Sequence, residues 1–229
     1  MFGRRTRLAA LGAVGLGACA VLAACSPVKV GSAAILGDQR ITVSSLDTQV
    51  ANFNTAAAPY GSQVQLTSTE VPAAVLSWLI RFDIQDQMAA SAGITVTQAQ
   101  VQAGIASVNS QAQQAAAQNG LSSAEAVFLN AGISPQMVPA LGTYQAQEIA
   151  FAEQANGGTL PSTTAENNTV TAALTKAQCT AAKSLNIQVN PQFGRLDYSQ
   201  YTVVANPNTL SQPAGKPSPA STAGLTPAC

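Results

Sequence analysis

The stretch AAILGDQRITVSSLD, residues 33–47, decides how the N-terminal part of this 229-residue chain folds. Apolar residues 33–36 and residues 40–43 flank Gly-Asp-Gln, a pattern that predicts two short strands joined by a tight turn. Ser44 follows at once, and its side chain can accept a hydrogen bond from the free N–H groups of a helix start, with Asp47 three residues later. The pattern therefore predicts a β-hairpin followed directly by a helix from Ser44 to about Thr55.

Apolar periodicity and capping residues predict further helices downstream. Residues 56–68 are expected to be a loop, Thr69 the N-cap of the next helix and Gly93 the residue that ends it. This helix carries most of the large apolar side chains and should be the central core helix. The remaining helices are expected at residues 97–119, 122–130, 134–155 and 164–186.

Two extended segments near the C-terminus are expected to close the domain. Residues 187–189 and 201–204 are predicted to pair with the N-terminal hairpin. The predicted fold class is mainly α, with a few short strands that join the N- and C-terminal segments. One domain is expected over residues 33–205, and the Pro-, Ser- and Thr-rich residues 206–229 are predicted to be disordered.

The first 24 residues have the layout of an export signal, in which basic residues precede an apolar run and small residues precede a cleavage point. Residues 22–25, Leu-Ala-Ala-Cys, resemble the lipobox of bacterial lipoproteins. That resemblance implies that Cys25 receives a diacylglycerol and becomes the N-terminus of the mature chain. The alternative, an uncleaved anchor helix, needs about 20 apolar residues, whereas residues 8–24 are fewer and include three glycines.

The predicted location is the extracytoplasmic face of the cell membrane, where the lipid anchors the chain through a tether of residues 25–32. Arg4 and Arg5 partly resemble a twin-arginine signal, and the sequence leaves both the Sec and the twin-arginine routes open. Loss of residues 1–24 removes three of the ten basic residues and none of the ten acidic ones, which leaves a formal charge of −3. Nucleic acid is therefore not an expected partner.

The composition argues against catalysis and against a metal site. The chain has no histidine, the commonest general base and metal ligand. Asp83 and Asp86 share one helix face beside Arg81, where a solvated ion-pair edge is the expected arrangement rather than a catalytic carboxylate pair. The sequence predicts no enzymatic activity, no cofactor and no metal.

Two cysteines remain once Cys19 leaves with the signal and Cys25 carries the lipid. In an oxidising compartment, Cys179 and Cys229 can form a disulfide bond that pins the tail to the last helix. The alternative is two unpaired thiols.

Three motifs, in the same order, resemble the SurA/PrsA chaperone family. They are the hairpin and helix start at residues 33–47, the Gly-Ile-Thr-Val-Thr step at residues 93–101, and Val-Asn-Pro-Gln-Phe-Gly-Arg-Leu-Asp at residues 189–197, which is similar to the closing strand of actinobacterial members. The resemblance implies a helical domain that binds unfolded or extended exported polypeptides without ATP. Family foldases usually insert a parvulin isomerase domain before the closing helix, and here that space holds only residues 156–164, so isomerase activity is not expected.

Two functions follow as hypotheses. The first is a membrane-tethered, ATP-independent chaperone or holdase, and the second is a non-enzymatic scaffold or accessory subunit that binds one specific cell-envelope partner. The client-binding candidates are large apolar side chains that could equally belong to the core. They are Trp78, Phe82, Phe128, Met137 and Phe151.

Overall fold

The computed structural model describes residues 30–206. This part of the chain is mainly helical, as predicted, and helices account for 64% of it. The strands are β1 (Ser32–Leu36), β2 (Gln39–Thr42), β3 (Gln188–Val189), β4 (Arg195–Asp197) and β5 (Thr202–Val204). The helices are α1 (Val43–Ala57), α2 (Val71–Ser91), α3 (Gln98–Asn119), α4 (Ala124–Asn130), α5 (Val138–Ala155) and α6 (Thr164–Ser184).

The predicted N-terminal hairpin is confirmed. β1 and β2 are antiparallel, with Leu36 opposite Gln39, and Gly37 turns the chain with a φ of 58° that favours glycine. β3 pairs antiparallel with β1 on its other edge, so the sheet order is β2-β1-β3 and the expected pairing of residues 187–189 with the hairpin is also confirmed. The N–H of Gly37 donates to the carbonyl of Leu185 at the end of α6, which ties the hairpin turn to the last helix.

The start of α1 differs from the prediction. Thr42, not Ser44, is the N-cap, and its hydroxyl accepts from the N–H of Ser45 at 3.0 Å. Thr42 still has extended backbone because it is the last residue of β2, so helical geometry begins one residue after the strand ends. α1 then runs through Ala57 and continues as a 3-10 helix, Ala58–Gln63, so the predicted loop at residues 56–68 is helical over its first half.

Helix α2 is the core helix, as predicted, and packs against α1, α5, α6, β1 and β5. Its N-cap is Glu70 rather than Thr69, and the Glu70 carboxylate accepts from the backbone N–H and the hydroxyl of Thr67. Gly93, predicted to end the helix, directly follows its C-cap Ala92 and has a φ of 69°. The buried residues of α2 are Val71, Val75, Leu76, Ser77, Ile80, Ile84, Gln85, Met88 and Ala89.

Helices α3 and α5 pack in direct backbone contact. A Cβ atom on Gly104 of α3 would overlap the carbonyl oxygen of Gly142 of α5, and a Cβ atom on Gly142 would overlap the side chain of Ile105. The other buried residues of α3 are small, Val108, Ala112 and Ala116. The Ala- and Gln-rich sequence of α3 therefore suits a helix whose packing face must carry small side chains.

The pairing expected for residues 201–204 is wrong. These residues form β5, which pairs antiparallel with β4 in a separate two-stranded sheet and not with the N-terminal hairpin. The intervening residues 198–201 allow a short hairpin, in which Tyr201 adopts a φ of 51° and Asp197 accepts from the N–H of Ser199 at 2.8 Å. The β4–β5 hairpin lies on α2, where Val203 donates its N–H to the hydroxyl of the buried Ser77 at 2.8 Å.

Candidate functional site

The described residues form a cleft of about 930 Å³ between α2, α6 and the β4–β5 hairpin, and Tyr144 of α5 also lines it. We call it the α6 cleft. Aromatic rings and polar side chains line it together. Its lining residues are Trp78, Arg81, Tyr144, Ala172, Thr175, Lys176, Gln178, Cys179, Tyr198, Ser199, Gln200 and Tyr201.

Three aromatic rings form a cluster, and two of them, Trp78 and Tyr144, line the α6 cleft. The ring centroids of Trp78 and Phe82 are 5.7 Å apart, and Tyr144 lies 6.4 Å from Trp78 and 6.3 Å from Phe82 in edge-on geometry. Such pairs contribute about 0.5–1.5 kcal/mol beyond the area they bury. The indole N–H of Trp78 also donates to the carbonyl of Ala131 at 2.7 Å, which fixes the ring in one orientation.

Arg81 crosses the α6 cleft and joins the aromatic cluster to the β4–β5 hairpin. Its Nε and Nη2 donate to the backbone oxygen of Gln200 at 3.2 and 2.8 Å, and its guanidinium carbon lies 4.8 Å from the centroid of the Trp78 ring. A cation over an aromatic face contributes about 0.5–2 kcal/mol, more when it is shielded from water. Burial lowers the pKa of Arg81, and neighbouring Tyr144 partly offsets that effect. The predicted ion-pair edge with Asp83 and Asp86 is therefore wrong, because Arg81 binds the hairpin instead.

Amide side chains of α2, α5 and α6 form hydrogen bonds next to the aromatic cluster, and those of Gln85 and Gln147 are buried. Gln178 of α6 donates to Oε1 of Gln85 at 3.1 Å and to the Tyr144 hydroxyl at 3.4 Å. Gln147 of α5 donates to Asp86 at 2.8 Å. Gln85 is 0% exposed, and its Nε2 has no hydrogen-bond partner among residues 30–206. These contacts join α2, α5 and α6 by polar groups that are costly to bury, so helix packing here carries a directional constraint that apolar contact would not impose.

Two carboxyl groups near the cluster have raised pKa values. Burial, and then the charge of Asp86, raises the pKa of Asp83 to about 6. Burial raises the pKa of Glu148, although its hydrogen bond with Tyr144 acts in the opposite direction. Burial likewise raises the pKa of Tyr144, and the neighbouring Glu148 adds to that rise.

A second cleft, of about 840 Å³, lies on the other side of Trp78 and Arg81, which line both clefts. We call it the β5 cleft. Leu66, Ala73 and Phe193 give it an apolar wall, and residues 202–206 form its rim. The described chain ends there at Asn206, whose side chain donates to the carbonyl of Pro191 at 2.8 Å. The two clefts are therefore neighbours that share the side chains of Trp78 and Arg81.

Cys179 belongs to the wall of the α6 cleft. It is 6% exposed and is disulfide-bonded, and the other half of the bridge lies outside the described residues. The predicted partner Cys229 and the predicted lipidation site Cys25 both lie outside residues 30–206, so the pairing and the lipid anchor stay predictions.

The structure brings together only part of the predicted client-binding set. Trp78 and Phe82 belong to the aromatic cluster. Phe128 is 9% exposed and Met137 is 3% exposed, and both belong to the hydrophobic core. Phe151 on α5 packs against the same core. Residues that sequence reasoning missed are Arg81, Tyr144, Gln178, Tyr198 and Tyr201, which come from four separate segments; the only local signal was the closely spaced pair of tyrosines at 198 and 201.

Comparison with family models, with curated proteins and with solved structures finds no match for this chain. Within residues 30–206, no three His, Cys, Asp or Glu side chains are grouped so that they could hold a metal ion. Over the same residues, no helix combines the length and the apolar character needed to cross a membrane.

Proposed function

We propose that this chain is a lipid-anchored extracytoplasmic protein that binds exported polypeptides in an unfolded or extended state, without ATP and without enzymatic activity. The observation that carries the proposal is that two neighbouring clefts, the α6 cleft and the β5 cleft, share Trp78 and Arg81 in their lining. The resemblance of residues 33–47, 93–101 and 189–197 to SurA/PrsA chaperones supports the same function.

The chemistry of this surface suits a chain rather than a compact ligand. Aromatic rings can bury apolar side chains of any sequence, and they offer large contact area at a low cost in conformational entropy. Lys176 and the side chain of Gln200 are exposed at the rim, where they can donate hydrogen bonds to backbone carbonyls. Contacts of this kind recognise an extended backbone with little sequence preference.

The anchor places this surface where exported chains emerge from the membrane. On this proposal, Cys25 carries the lipid and the residues between Cys25 and β1 are the tether. Because the lipid fixes the protein at the membrane, the local concentration of the clefts near a nascent exported chain rises without any additional contact.

The second candidate function is that of an accessory subunit that binds one specific cell-envelope partner, and one observation favours it. Among residues 30–206, the large hydrophobic side chains that are exposed are Val30 and Leu160, and neither lines either cleft. A promiscuous holdase usually presents a broader apolar surface. An accessory subunit that binds one envelope protein would need only the two clefts.

An aggregation assay tests the first function and separates it from the second. Residues 26–229 are mixed with two unrelated unfolded exported proteins, with and without a reductant, beside a proline-peptide isomerisation assay. Ala172→Glu adds a charge inside the α6 cleft, and Ala106→Glu adds the same charge on the exposed face of α3 as a matched control. We expect both proteins to be protected by the wild type and by Ala106→Glu, less protection by Ala172→Glu, and no isomerisation.

Two other outcomes of the aggregation assay would change the proposal. No protection of either protein would contradict the holdase and leave the accessory subunit, which copurification with a single envelope protein would then support. Equal protection by Ala172→Glu and Ala106→Glu would show that clients bind elsewhere on the surface.

A further inference from the structure

The disulfide bond of Cys179 lies at the wall of the α6 cleft. Cys179 lies in the wall of the cleft, so whichever residue is bonded to it must reach that wall. The sequence has four cysteines, and the other three are Cys19, Cys25 and Cys229. Cys19 lies in the expected export signal and Cys25 is the expected lipidation site. Cys229 is the cysteine that remains.

The segment that leads to Cys229 has the composition of a ligand for an aromatic groove. Residues 207–229 contain five prolines, one charged residue, Lys216, and two large apolar residues, Leu210 and Leu225. Proline-rich segments adopt the extended polyproline II helix, which costs little entropy to order, and they bind grooves lined with tryptophan and tyrosine. The α6 cleft presents Trp78, Tyr144, Tyr198 and Tyr201.

The segment is also long enough, and it starts in the right place. The described chain ends at Asn206, on the rim of the β5 cleft, which shares Trp78 and Arg81 with the α6 cleft. At about 3.1 Å per residue in polyproline II geometry, the 23 residues after Asn206 span roughly 70 Å. A domain of this size has a radius of gyration of about 16 Å, so the segment can reach Cys179 by any path over the surface.

We propose that residues 207–229 are the resident occupant of the α6 cleft. Cys229 is bonded to Cys179, and Leu225 and Pro227, which lie within four residues of Cys229, contact the aromatic rings of the cleft. The disulfide holds the segment at an effective concentration on the order of millimolar, so even a weak intrinsic affinity keeps the cleft covered. Any other polypeptide must displace this segment to enter the α6 cleft, and reduction of the disulfide by an added dithiol, which is itself oxidised to a disulfide, lowers the barrier to that exchange.

Trp78 makes the inference directly measurable, because it is the one tryptophan in the sequence and it lines the cleft. The full chain, produced in an exporting bacterium and purified in detergent, is tested by acrylamide quenching of Trp78 fluorescence, and peptide mapping under non-reducing conditions identifies the partner of Cys179. The variants are Cys229→Ser, Leu225→Asp, which keeps the disulfide, and Ala214→Asp, which places the same charge in the middle of the segment. Circular dichroism melts verify that each variant is folded, and reduced, alkylated wild type provides a second route to the untethered state.

We expect a Cys179–Cys229 bridge and a quenching constant at least about two-fold higher in Leu225→Asp, in Cys229→Ser and in the reduced wild type, with Ala214→Asp close to the oxidised wild type. Equal quenching in all these forms would overturn the inference, because the segment would then not cover Trp78. A bridge from Cys179 to Cys25, or to a second copy of the chain, would overturn it as well. No client is present in these measurements, so the result does not depend on the proposed chaperone function.

Discussion

The two sides of helix α5 pack by opposite means. Toward α3, Gly142 meets Gly104 with no room for a Cβ atom on either residue, and the neighbouring buried side chains of α3 are small. Toward α2 and α6, Tyr144 and Gln147 of the same helix meet aromatic rings, amides and Arg81, and a cleft of about 930 Å³ stays open.

The α3 side of α5 is therefore a structural contact, and the side that faces α2 and α6 is the candidate binding surface. Two helices that touch through their backbones gain dispersion energy and leave no volume for a ligand. On the other side, large rings and amides make the contacts, and the buried Nε2 of Gln85 has no hydrogen-bond partner among residues 30–206, which costs stability. A surface that costs stability in this way is where a function is expected, and the following measurements test the contrast.

The largest effect is expected at the glycine contact. Gly104→Val should lower the free energy of unfolding by about 3 kcal/mol, because the new side chain overlaps the carbonyl of Gly142 and α3 must move away. Urea unfolding of residues 26–229 measures this. Ala106→Val on the exposed face of α3 is the control and should cost no more than about 0.5 kcal/mol. Equal losses in the two variants would mean that α3 does not pack closely on α5.

A smaller effect is expected where the β4–β5 hairpin lies on α2. Ser77→Ala removes the hydroxyl that accepts from the N–H of Val203 and leaves a buried donor without a partner, so a loss of about 1–2 kcal/mol is expected in the same urea assay. Ser91→Ala is the matched control, since both hydroxyls bond the carbonyl four residues earlier but Ser91 is exposed. If Ser77→Ala and Ser91→Ala had the same free energy of unfolding, the hairpin would not be held on α2 by this hydrogen bond.

The smallest effect is a pH dependence on the cleft side of the molecule. Burial raises the pKa of Asp83 from its ordinary value of 3.8 to about 6, so between these values the folded state binds a proton that the unfolded state has lost. The contribution of Asp83 to stability should therefore be largest below pH 4, fall as the pH rises toward 6, and stay smaller above it.

Asp83→Asn should flatten that decline, and Glu148, whose pKa burial also raises, should leave a residual slope of the same sign. The measurement is the free energy of unfolding at several pH values between 4 and 7. Asp38→Asn, at an exposed position in the β1–β2 turn, is the control. A wild-type stability that rises over this range, with the same slope in Asp83→Asn, would be the contrary result.

Local patterns in the sequence predicted the elements of the fold, but not all of their partners. The hairpin turn at Gly37, the helix start at Thr97 and the glycine that follows α2 at Gly93 each depend on a few neighbouring residues, and the structure has them. The pairing of β5 was predicted wrongly because it depends on the turn at residues 198–201 and on a hydroxyl of α2 that is 126 residues away.

The candidate site was harder to predict, for a related reason. Trp78 and Phe82 lie one helical turn apart, so a helical period finds them together. Phe128 and Met137 have the same apolar character but are buried in the core, and composition alone cannot tell a core ring from one in a cleft. The sequence pairs Arg81 with the aspartates on its own helix, because those are its nearest acceptors along the chain. Its actual acceptor is the backbone carbonyl of Gln200, 119 residues away, which no local pattern indicates.

The central claim is that the surface around Trp78 binds extended polypeptide, and titration of Trp78 fluorescence tests it most directly. Reduced residues 26–229 are titrated with an unfolded exported protein that lacks tryptophan, so every change in emission comes from Trp78. We predict a saturable shift of the emission to shorter wavelength, weaker in Ala172→Glu and unchanged in Ala106→Glu. An emission spectrum that stays constant throughout the titration, while the chain still suppresses aggregation of the same protein, would contradict the assignment of the clefts as the binding site.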